Sequence, residues 1–398
     1  MNIKIFPQKL TGSVAAIPSK SHVHRLLICA AFADCPTKLI CPSTNDDIEA
    51  TVSCLNGIGA NIDKTDYGYH VEPISVIPEK AIIDCNESGS TLRFMLPIVA
   101  SLGIHTTFQL HGRLPARPLS PLWEELERMG CQLSRPTENT ISCQGRLRSG
   151  CYTIDGSVSS QFITGLLFAL ALLRENSQLT ITGKVESKPY IDMTLDALLQ
   201  FGISPSNYCF NGNQSFHSPG NINIEGDWSN AAFFLSAQAI GNDITVTGLD
   251  DKSKQGDRVI LELLNQLENK TVISGENYPD LIPILAVVAA RKQGARFINI
   301  QRLRLKESDR ITTTANMLSA FGALTEIIGD DLVVYPAQFH SCCIDSKNDH
   351  RIAMAAAIAS TVCNGTVTIH NAECVNKSYP DFWNEFLRLG GQYEQCTR

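Results

Sequence analysis

The sequence predicts a mixed α/β protein made of six similar units. Three observations lead to this fold class. An alanine- or leucine-rich helix with a polar opening recurs six times, an amphipathic helix that stops at a glycine recurs between these copies, and short β-branched runs separate the helices. Each unit is therefore predicted to run strand, helix, strand, helix, strand, strand (βαβαββ).

The first helix series is the stronger repeat signal. Its successive copies start about 70 residues apart, with one shorter spacing of about 50. The six copies are "SKSHVHRLLICAAF" from Ser19, "ESGSTLRFMLPIVAS" from Glu87, "GSVSSQFITGLLFALAL" from Gly156, "GDWSNAAFFLSAQAI" from Gly226, "NYPDLIPILAVVAA" from Asn277 and "KNDHRIAMAAAIAS" from Lys347.

The second helix series is predicted from its C-terminal glycines. A glycine just after an amphipathic stretch suits a left-handed helix C-cap. Five copies end in this way, at Gly59, Gly130, Gly202, Gly322 and Gly390. The sixth copy is predicted in "RVILELLNQLENK", from Arg258, which lacks the glycine and belongs to the shortened unit.

The length of 398 residues indicates more than one domain, and six units divide into two groups of three. The loop Ser215–Gly226, rich in Ser, Pro, Gly and Asn, is the predicted boundary. The opening "MNIKIFPQ" has the character of a strand that could belong to the far domain. The predicted domains are 14–220 and 1–13 plus 221–398.

Composition limits the functional classes. With 43% hydrophobic and 18% charged residues and a net charge of −7, the chain is predicted to be globular and to bind neither membrane nor nucleic acid. Its N-terminal residues lack the pattern of a signal or transit peptide, so we expect a cytoplasmic location. We also expect a monomer whose partners are small molecules. The 14 cysteines form no CxxC pair, which leaves zinc and redox motifs unsupported and favours buried free thiols.

The polar openings of the first helix series are candidate anion sites. Helix N-termini offer free N–H groups and a partial positive charge. Lys20 and Arg25 lie just inside an apolar helix, where an unpaired charge is costly, so we expect an anion to meet them. Ordinary N-caps are the alternative for the Ser-rich openings. The candidates are Lys20, Ser21 and Arg25; Gly89, Ser90 and Arg93; and Ser159, Ser160 and Gln161.

The usual nucleotide and hydrolase motifs are absent from the sequence. It contains no GxxxxGK[ST] phosphate loop, no GxGxxG turn and no GxSxG elbow. The charged run "RLRLKESDRI", from Arg302 to Ile311, could be a solvated face, which is the commoner origin of such runs.

An ordered set of motifs resembles one family. In chain order they are "PSKSHVHR", "ESGSTLR", "LPARPL", "DGSVSSQF", "ESKPYID", "YPDL", "LRLKESDR", "NDHRIAM" and "NKSYPDF". Together they resemble the motifs of the EPSP synthase family, the 3-phosphoshikimate 1-carboxyvinyltransferases, and the resemblance runs from about Lys20 to Phe382.

The resemblance implies a reaction, a fold and the absence of cofactors. The family transfers the enolpyruvyl group of phosphoenolpyruvate to the 5-hydroxyl of shikimate 3-phosphate and releases phosphate, without metal or organic cofactor. Its fold has two similar domains of three βαβαββ units each, an inside-out α/β barrel that holds the active site in the interdomain cleft. By this resemblance the first domain binds shikimate 3-phosphate and the second carries the acid/base residues.

The resemblance also implies roles for individual residues. Glu307 resembles the residue that transfers a proton at the methylene carbon, Asp280 the one that removes or orients the hydroxyl proton, and His350 a phosphate-contacting or supporting histidine. The implied catalytic set is Asp280, Glu307, Lys20, Lys377 and His350. The implied shikimate 3-phosphate site is Lys20, Ser21, Arg25, Ser159, Ser160, Gln161, Ser187, Tyr190, Asp280 and Lys306, and the implied phosphoenolpyruvate site is Lys20, Gly89, Arg117, Gln161, Arg310, Arg351 and Lys377.

Two departures from the family pattern and three rival functions stay open. Glu87 adds a negative charge beside an anion site, and Arg302 replaces an asparagine of some members.

The first rival is the transferase that acts on UDP-N-acetylglucosamine, which typically has a reactive cysteine five residues before the loop arginine, where this chain has Gly112. The second is a scaffold of stacked repeats, and the third is a catalytically dead paralogue.

Overall fold

The computed structural model describes residues 1–396 and divides into two compact units. Unit 1 is Met1–Ile17 together with the chain from Glu225 onward, and unit 2 is Pro18–Ile224. Each unit has its own cluster of buried apolar side chains. The mixed α/β class predicted from the sequence is confirmed.

Both boundaries fall four residues later than the sequence predicted, and strand pairing explains why. Residues 11–15 form a parallel pair with residues 243–247 of unit 1, so residues 14–17 belong with unit 1. Residues 221–223 form a parallel pair with residues 38–40 of unit 2, so they belong with unit 2. The predicted strand at the N-terminus also lies in unit 1, in a sheet with strands from the far end of the chain.

Unit 1 begins with two strands, β1 (Asn2–Phe6) and β2 (Thr11–Ala15). Unit 2 follows with α1 (Lys20–Ala31), β3 (Thr37–Ile40), α2 (Asp46–Gly57), β4 (Asn61–Thr65), β5 (Gly68–Glu72), β6 (Lys80–Asp84), α3 (Gly89–Leu102), β7 (His105–Gln109), α4 (Leu122–Arg128), β8 (Cys131–Thr137), β9 (Thr140–Gly145), β10 (Cys151–Asp155), α5 (Ser160–Ala171), β11 (Ser177–Thr182), α6 (Lys188–Gln200), β12 (Cys209–Phe210) and β13 (Asn221–Asn223).

The chain then returns to unit 1. Its remaining elements are α7 (Trp228–Ala239), β14 (Asp243–Thr247), α8 (Ile260–Gln266), β15 (Thr271–Ser274), α9 (Ile282–Arg291), β16 (Ala295–Ile298), α10 (Arg310–Ala320), β17 (Thr325–Ile328), β18 (Asp331–Val334), β19 (His340–Asp345), α11 (His350–Ser360), β20 (Asn364–His370), α12 (Phe382–Arg388) and β21 (Gln392–Cys396). Among residues 1–396, no helix combines the length and the apolar character that crossing a bilayer requires.

Among the described residues, the βαβαββ order occurs within a single unit in β6 to β9 and β10 to β13 of unit 2 and in β15 to β18 of unit 1, and β2 to β5 has the same order but begins in unit 1 and continues in unit 2. In β6 to β9 and in β15 to β18, the first two strands pair in parallel and the last two pair antiparallel. Unit 2 contains the sheets β13-β3-β5-β4, β6-β7-β9-β8 and β10-β11-β12, and unit 1 contains β19-β20-β1-β21, β14-β2 and β15-β16-β18-β17.

The two predicted helix series differ in burial. The first series is buried nearly all round, as in α3, α5, α9 and α11, which suits helices with apolar residues on every face. The second series keeps exposed faces, as in α2 and α6. All five predicted C-terminal glycines have positive φ, and the sixth helix, α8, is only seven residues long. The polar first turns of the buried series carry most of the candidate functional residues.

Candidate active site

In unit 2, helix α1 begins with the first candidate cation, Lys20. Its Nζ donates to Asp47 Oδ2 at 2.7 Å, and Asp47 lies in the first turn of α2. The sequence prediction that an anion meets Lys20 is therefore confirmed, and the chain itself provides that anion. A carboxylate in the first turn of a helix interacts favourably with the partial positive charge of the helix N-terminus, and Asp47 has this position in α2.

Arg25 is different, because its buried guanidinium donates hydrogen bonds only to neutral oxygens. It is 2% exposed, and it donates to Ser21 O at 2.6 Å, Tyr190 O at 2.9 Å and Thr194 Oγ1 at 2.9 Å. Among residues 1–396 no carboxylate pairs with it. Burial lowers the pKa of Arg25 to about 10. The structure thus brings Ser21, Arg25 and Tyr190 together around a positive charge that no protein anion balances.

Helix α3 starts against the Arg117 side chain. Gly89 is the first residue of α3, and a Cβ atom placed on it would lie 2.6 Å from Arg117 Nη1 and 2.9 Å from Cζ. The Ser88 side chain caps the helix by accepting from Thr91 N at 3.3 Å. The absence of a side chain at Gly89 therefore lets the guanidinium lie on the first turn of α3.

Gln161 joins this group from the first turn of α5. Its Oε1 accepts from Arg93 Nη1 at 2.5 Å, and its Nε2 donates to Ser90 Oγ at 2.8 Å. Ser159 caps α5 by accepting from Gln161 N at 3.2 Å, so one predicted site serine has the ordinary capping role. Arg93 was a candidate in the sequence but was not carried into the predicted site residues. The sequence did contain a signal for Arg93: it is a basic residue in the polar opening of a helix, close to Gly89 and Ser90.

The remaining unit 2 candidates lie at helix starts. Ser160 is the first residue of α5 and is buried. Ser187 precedes α6 with φ 53° and ψ 39°, a left-handed conformation that is uncommon for serine. Such backbone strain occurs mostly where the surrounding structure fixes a functional group.

In unit 1, the charged run at residues 302–310 contributes to a buried ion network. A 3-10 turn, Gln301–Leu305, leads into Lys306–Asp309, and α10 begins at Arg310. Arg310 is 1% exposed and forms ion pairs with Asp280 Oδ1 at 2.7 Å, Glu307 Oε2 at 2.6 Å and Asp349 Oδ2 at 2.8 Å. The interpretation of the run as a solvated face is therefore wrong for Lys306, Glu307 and Arg310.

Asp280 is one of two partly exposed carboxylates of the network; Glu307 is the other. Burial acts to raise its pKa, but Arg351, Lys306 and Arg310 outweigh it and hold the pKa of Asp280 well below its usual value. Arg351 Nη2 lies 3.2 Å from Asp280 Oδ2, and the side chain of Asp280 keeps 20% of its surface exposed. Asp280 is therefore an ionised hydrogen-bond acceptor that a ligand can reach.

Lys306 lies across the same carboxylate, with Nζ 3.4 Å from Asp280 Oδ1. Burial lowers its pKa, Asp280 opposes the change, and Arg310 adds to it, so that the pKa of Lys306 falls from 10.5 to about 8. The network thus holds one cation that can lose its charge close to neutral pH.

Asp349 is the important residue that the sequence prediction did not assign. It caps α11 by accepting from Arg351 N at 3.0 Å and also accepts from Arg310 Nε at 2.8 Å and Ser308 Oγ at 2.9 Å. Its position immediately before "HR" at a helix start was the signal, because an N-cap aspartate there was to be expected. His350 is the first residue of α11 and is 2% exposed.

Two further candidates in unit 1 have simpler surroundings. Lys377 Nζ donates to Asn348 O at 3.2 Å, which places it beside the start of α11. Asp309 caps α10 and pairs with Arg304 at 2.9 Å, so it is the structural partner of a neighbouring base. Within residues 1–396 no group of three or more His, Cys, Asp or Glu side chains has the arrangement of a metal site.

Comparisons with known proteins agree on one family. The family model described as "EPSP synthase (3-phosphoshikimate 1-carboxyvinyltransferase)" matches residues 6–386. A 3-phosphoshikimate 1-carboxyvinyltransferase of Clostridium perfringens is 40% identical over 97% of this chain and 98% of its own, and one of Clostridium beijerinckii is 38% identical over 99% and 98%.

Solved structures show the same fold. An EPSP synthase from Acinetobacter baumannii superposes with a TM-score of 0.79 at 21% identity, covering 99% of this chain and 100% of that one. The enolpyruvyl transferase NikO from Streptomyces tendae superposes with a TM-score of 0.75 at 17% identity, covering 100% and 99%. From the match over residues 6–386 and relatives at 40% identity, the chain belongs to the EPSP synthase (3-phosphoshikimate 1-carboxyvinyltransferase) family.

Proposed function

We propose that each unit supplies one set of side chains to the reaction of this family. The reaction transfers the enolpyruvyl group of phosphoenolpyruvate to the 5-hydroxyl of shikimate 3-phosphate, and this chain catalyses that transfer. The observation that carries the proposal is the contrast between the two units. Unit 2 holds a buried arginine that lacks a protein anion, whereas unit 1 holds carboxylates beside arginines and a lysine of low pKa.

In the proposal, Arg25 binds the phosphate of shikimate 3-phosphate with Ser21, Ser159, Ser160, Ser187 and Tyr190. A buried guanidinium whose hydrogen bonds all go to neutral oxygens gains a charge-assisted, bidentate bond when a phosphate binds. Its partners Ser21 O and Tyr190 O fix the direction of the guanidinium before the ligand binds. Preorganisation of this kind lowers the cost of binding.

Phosphoenolpyruvate is proposed to bind to Gly89, Arg117 and Gln161 of unit 2 and to Arg310, Arg351 and Lys377 of unit 1, with Lys20 reaching both substrates. Arg117 lies on the N-terminal turn of α3, so the guanidinium and the N–H groups of that turn favour the same negative group. Phosphoenolpyruvate carries both a phosphate and a carboxylate, so several basic side chains are needed to balance its negative charge.

The chemistry needs proton transfers at two places, the 5-hydroxyl of shikimate 3-phosphate and the methylene carbon of phosphoenolpyruvate. The 5-hydroxyl oxygen bonds to C2 of phosphoenolpyruvate while Asp280 orients and accepts the hydroxyl proton and Glu307 delivers a proton to the methylene carbon. In the second step Glu307 takes a proton back from the new methyl group, the double bond re-forms, the C–O bond to phosphate breaks, and the phosphate leaves with the proton that Asp280 had accepted. Because the pKa of Asp280 is low, we assign it to orientation as much as to proton removal.

One contact disfavours the rival acceptor, UDP-N-acetylglucosamine. The family that uses it carries a reactive cysteine where this chain has Gly112. A Cβ atom at Gly112 would lie 2.7 Å from Glu87 Oε1, so the Glu87 carboxylate fills the space that a thiol side chain would need. The unusual acidic residue and the missing thiol are therefore two parts of one local arrangement.

The proposal for shikimate 3-phosphate is tested with Arg25→Met and a matched control, Arg128→Met. Arg128 lies in the same unit, and its own side chain is half exposed although it pairs with the buried carboxylate of Glu125. We expect Arg25→Met to raise the KM for shikimate 3-phosphate by about 100-fold, on the scale of a lost charge-assisted bond. Arg128→Met should leave it within twofold, and equal effects of the two changes would refute the assignment.

The finer architecture stays a prediction drawn from the family resemblance: an inside-out α/β barrel with the active site in the interdomain cleft and with shikimate 3-phosphate bound by the first domain. If substrate closes the molecule, X-ray scattering should give a smaller radius of gyration with shikimate 3-phosphate than without it. Identical radii would count against closure.

A further inference from the structure

A buried chain of polar side chains connects three helices in unit 2. His24 Nδ1 lies 2.7 Å from Thr51 Oγ1, Thr51 Oγ1 lies 2.7 Å from Thr91 Oγ1, and Thr91 Oγ1 lies 2.8 Å from Ser88 Oγ. All four residues are no more than 1% exposed. His24 belongs to α1, Thr51 to α2, and Ser88 and Thr91 to the start of α3. We call these four residues the hydroxyl chain.

The direction of the hydroxyl chain follows from the histidine. Among residues 1–396 nothing accepts a hydrogen bond from His24 Nε2, so a proton on that atom would be a buried donor without an acceptor. The proton therefore belongs on Nδ1, which donates to Thr51. Thr51 then donates to Thr91, and Thr91 donates to Ser88, whose oxygen also accepts from Thr91 N and caps α3.

The ring keeps this state over a wide pH range. Burial, followed by the positive charges of Lys20 and Arg25, holds the pKa of His24 well below its usual value. A charged imidazolium would carry a second N–H with no acceptor, which adds to the cost of protonation. The hydroxyl chain is therefore a fixed structural connection of neutral groups.

A second connection runs beside the first. Thr91 Oγ1 also lies 3.4 Å from the backbone oxygen of Asp47, whose side chain accepts from Lys20 Nζ at 2.7 Å. The single hydroxyl proton of Thr91 points mainly to Ser88 Oγ at 2.8 Å, and the longer contact with Asp47 O makes Thr91 the residue through which both α1 and α2 reach α3. Two residues before it, Gly89 lies against the Arg117 guanidinium.

We propose that Thr51 and Thr91 are positioning residues that hold the first turn of α3, and through it Arg117, in place for phosphoenolpyruvate. The inference rests on the proposed assignment of Gly89 and Arg117 to that substrate. Neither threonine touches the substrate in this account. Helix α1 is separately fixed to α6 by the bonds from Arg25 to Thr194 and Tyr190, so loss of the hydroxyl chain should move α3 more than the shikimate 3-phosphate residues.

The test is Thr91→Val, which keeps the shape of the side chain and removes its hydroxyl. We expect the KM for phosphoenolpyruvate to rise roughly three- to tenfold, the factor that one or two buried hydrogen bonds supply. The KM for shikimate 3-phosphate and kcat should stay within twofold. Thr91→Ser should restore the KM, because it retains the hydroxyl group.

The matched control is Thr106→Val. Thr106 is also fully buried in unit 2, on β7, and bonds to Ile104 O, away from the hydroxyl chain. The Thr106→Val change should lower the melting temperature without changing the KM for either substrate. If Thr91→Val gave this same pattern, Thr91 would have a purely structural role and the proposal would fail. Should Thr91→Val fail to fold, Thr51→Val interrupts the hydroxyl chain one step earlier and should also raise the KM for phosphoenolpyruvate selectively.

Arg117→Lys separates failure of the inference from failure of the site assignment. If Arg117→Lys raises the KM for phosphoenolpyruvate and folded Thr91→Val leaves it unchanged, the positioning role is overturned while the site stands. If neither change affects that KM, the site assignment itself fails and the inference falls with it.

Discussion

At the residue scale, Arg310 illustrates how this chain keeps several charges buried. A cation in the first turn of a helix opposes the helix dipole, and Arg310 and Arg351 both lie in such turns. Carboxylates at hydrogen-bonding distance compensate, with Asp349 the most buried of them. Two carboxylates around Arg310, Asp280 and Glu307, remain about one-fifth exposed, and these are the two to which the proposed proton transfers are assigned.

Glu307→Gln should separate chemistry from binding. The amide has the size of the carboxylate, and its oxygen can still accept from Arg310, but it cannot deliver the proton. We expect kcat to fall by about 10²- to 10⁴-fold, with KM values within a few-fold. Steady-state kinetics measures both. The control is Glu262→Gln on the exposed face of α8, and a Glu307→Gln protein with full kcat would exclude the assigned role.

Gly89→Ala should weaken phosphoenolpyruvate binding without unfolding the protein. The new Cβ would lie 2.6 Å from Arg117 Nη1, and the end of a flexible side chain can move more easily than backbone can. We therefore expect a melting temperature within about 3 °C of the parent, since a change below 1 kcal/mol moves it little, and a KM for phosphoenolpyruvate raised at least roughly tenfold. An unchanged KM would contradict the contact with Arg117.

The pKa of Lys306 predicts how kcat/KM changes at alkaline pH. Its pKa of about 8 in the free protein means that it carries its proton below pH 8 and loses its charge as the pH rises through that value. Because the substrates are anions, kcat/KM should fall above about pH 8, and this ratio reports groups of the free enzyme. In Lys306→Arg the fall near pH 8 should disappear, since the guanidinium stays charged. The same alkaline limb in both proteins would assign it to another group.

At the scale of elements, the buried helices bring functional side chains together by their first turns. Aspartates cap both α10 and α11, and each cap is followed directly or after one residue by a site arginine. The two caps differ in surroundings: Asp349 is fully buried and binds Arg310, whereas Asp309 is partly exposed and binds Arg304. They form a natural matched pair for mutation.

Asp349→Asn should cost much more stability than Asp309→Asn. Asparagine can still cap a helix, so the difference isolates the charge. Removing one partner of a buried ion pair typically costs about 3–5 kcal/mol, whereas a partly exposed pair is worth about 0–1 kcal/mol. Urea unfolding of both variants measures the free energies of unfolding. Equal losses would show that Asp349 contributes only its cap.

The sequence predicted the helices and the site to different extents. The sixfold helix pattern and its glycine stops were visible because burial all round and left-handed caps leave signals in neighbouring residues. Asp349, Asp47 and the hydroxyl chain were missed because their roles depend on contacts between residues 27 to 40 positions apart, which no local pattern reports. For the same reason, the sequence predicted that an anion meets Lys20 but did not identify it as Asp47, which lies 27 positions away.

At the scale of the whole molecule, the chain crosses between units twice, and local composition placed those crossings only approximately. The Ser-, Pro- and Gly-rich loop indicated the second crossing, but the parallel pairing of β13 with β3 shifts it by four residues. Each unit has a separate core and three sheets. In our account unit 2 supplies most of the anion-binding side chains and unit 1 the proton-transfer side chains.

The most direct test of this account is phosphate release by the purified protein, with phosphoenolpyruvate and either shikimate 3-phosphate or UDP-N-acetylglucosamine as the acceptor. We predict release with shikimate 3-phosphate alone, and its loss in Glu307→Gln. Release with UDP-N-acetylglucosamine, or with neither acceptor, would contradict the assignment of these residues to 3-phosphoshikimate 1-carboxyvinyl transfer.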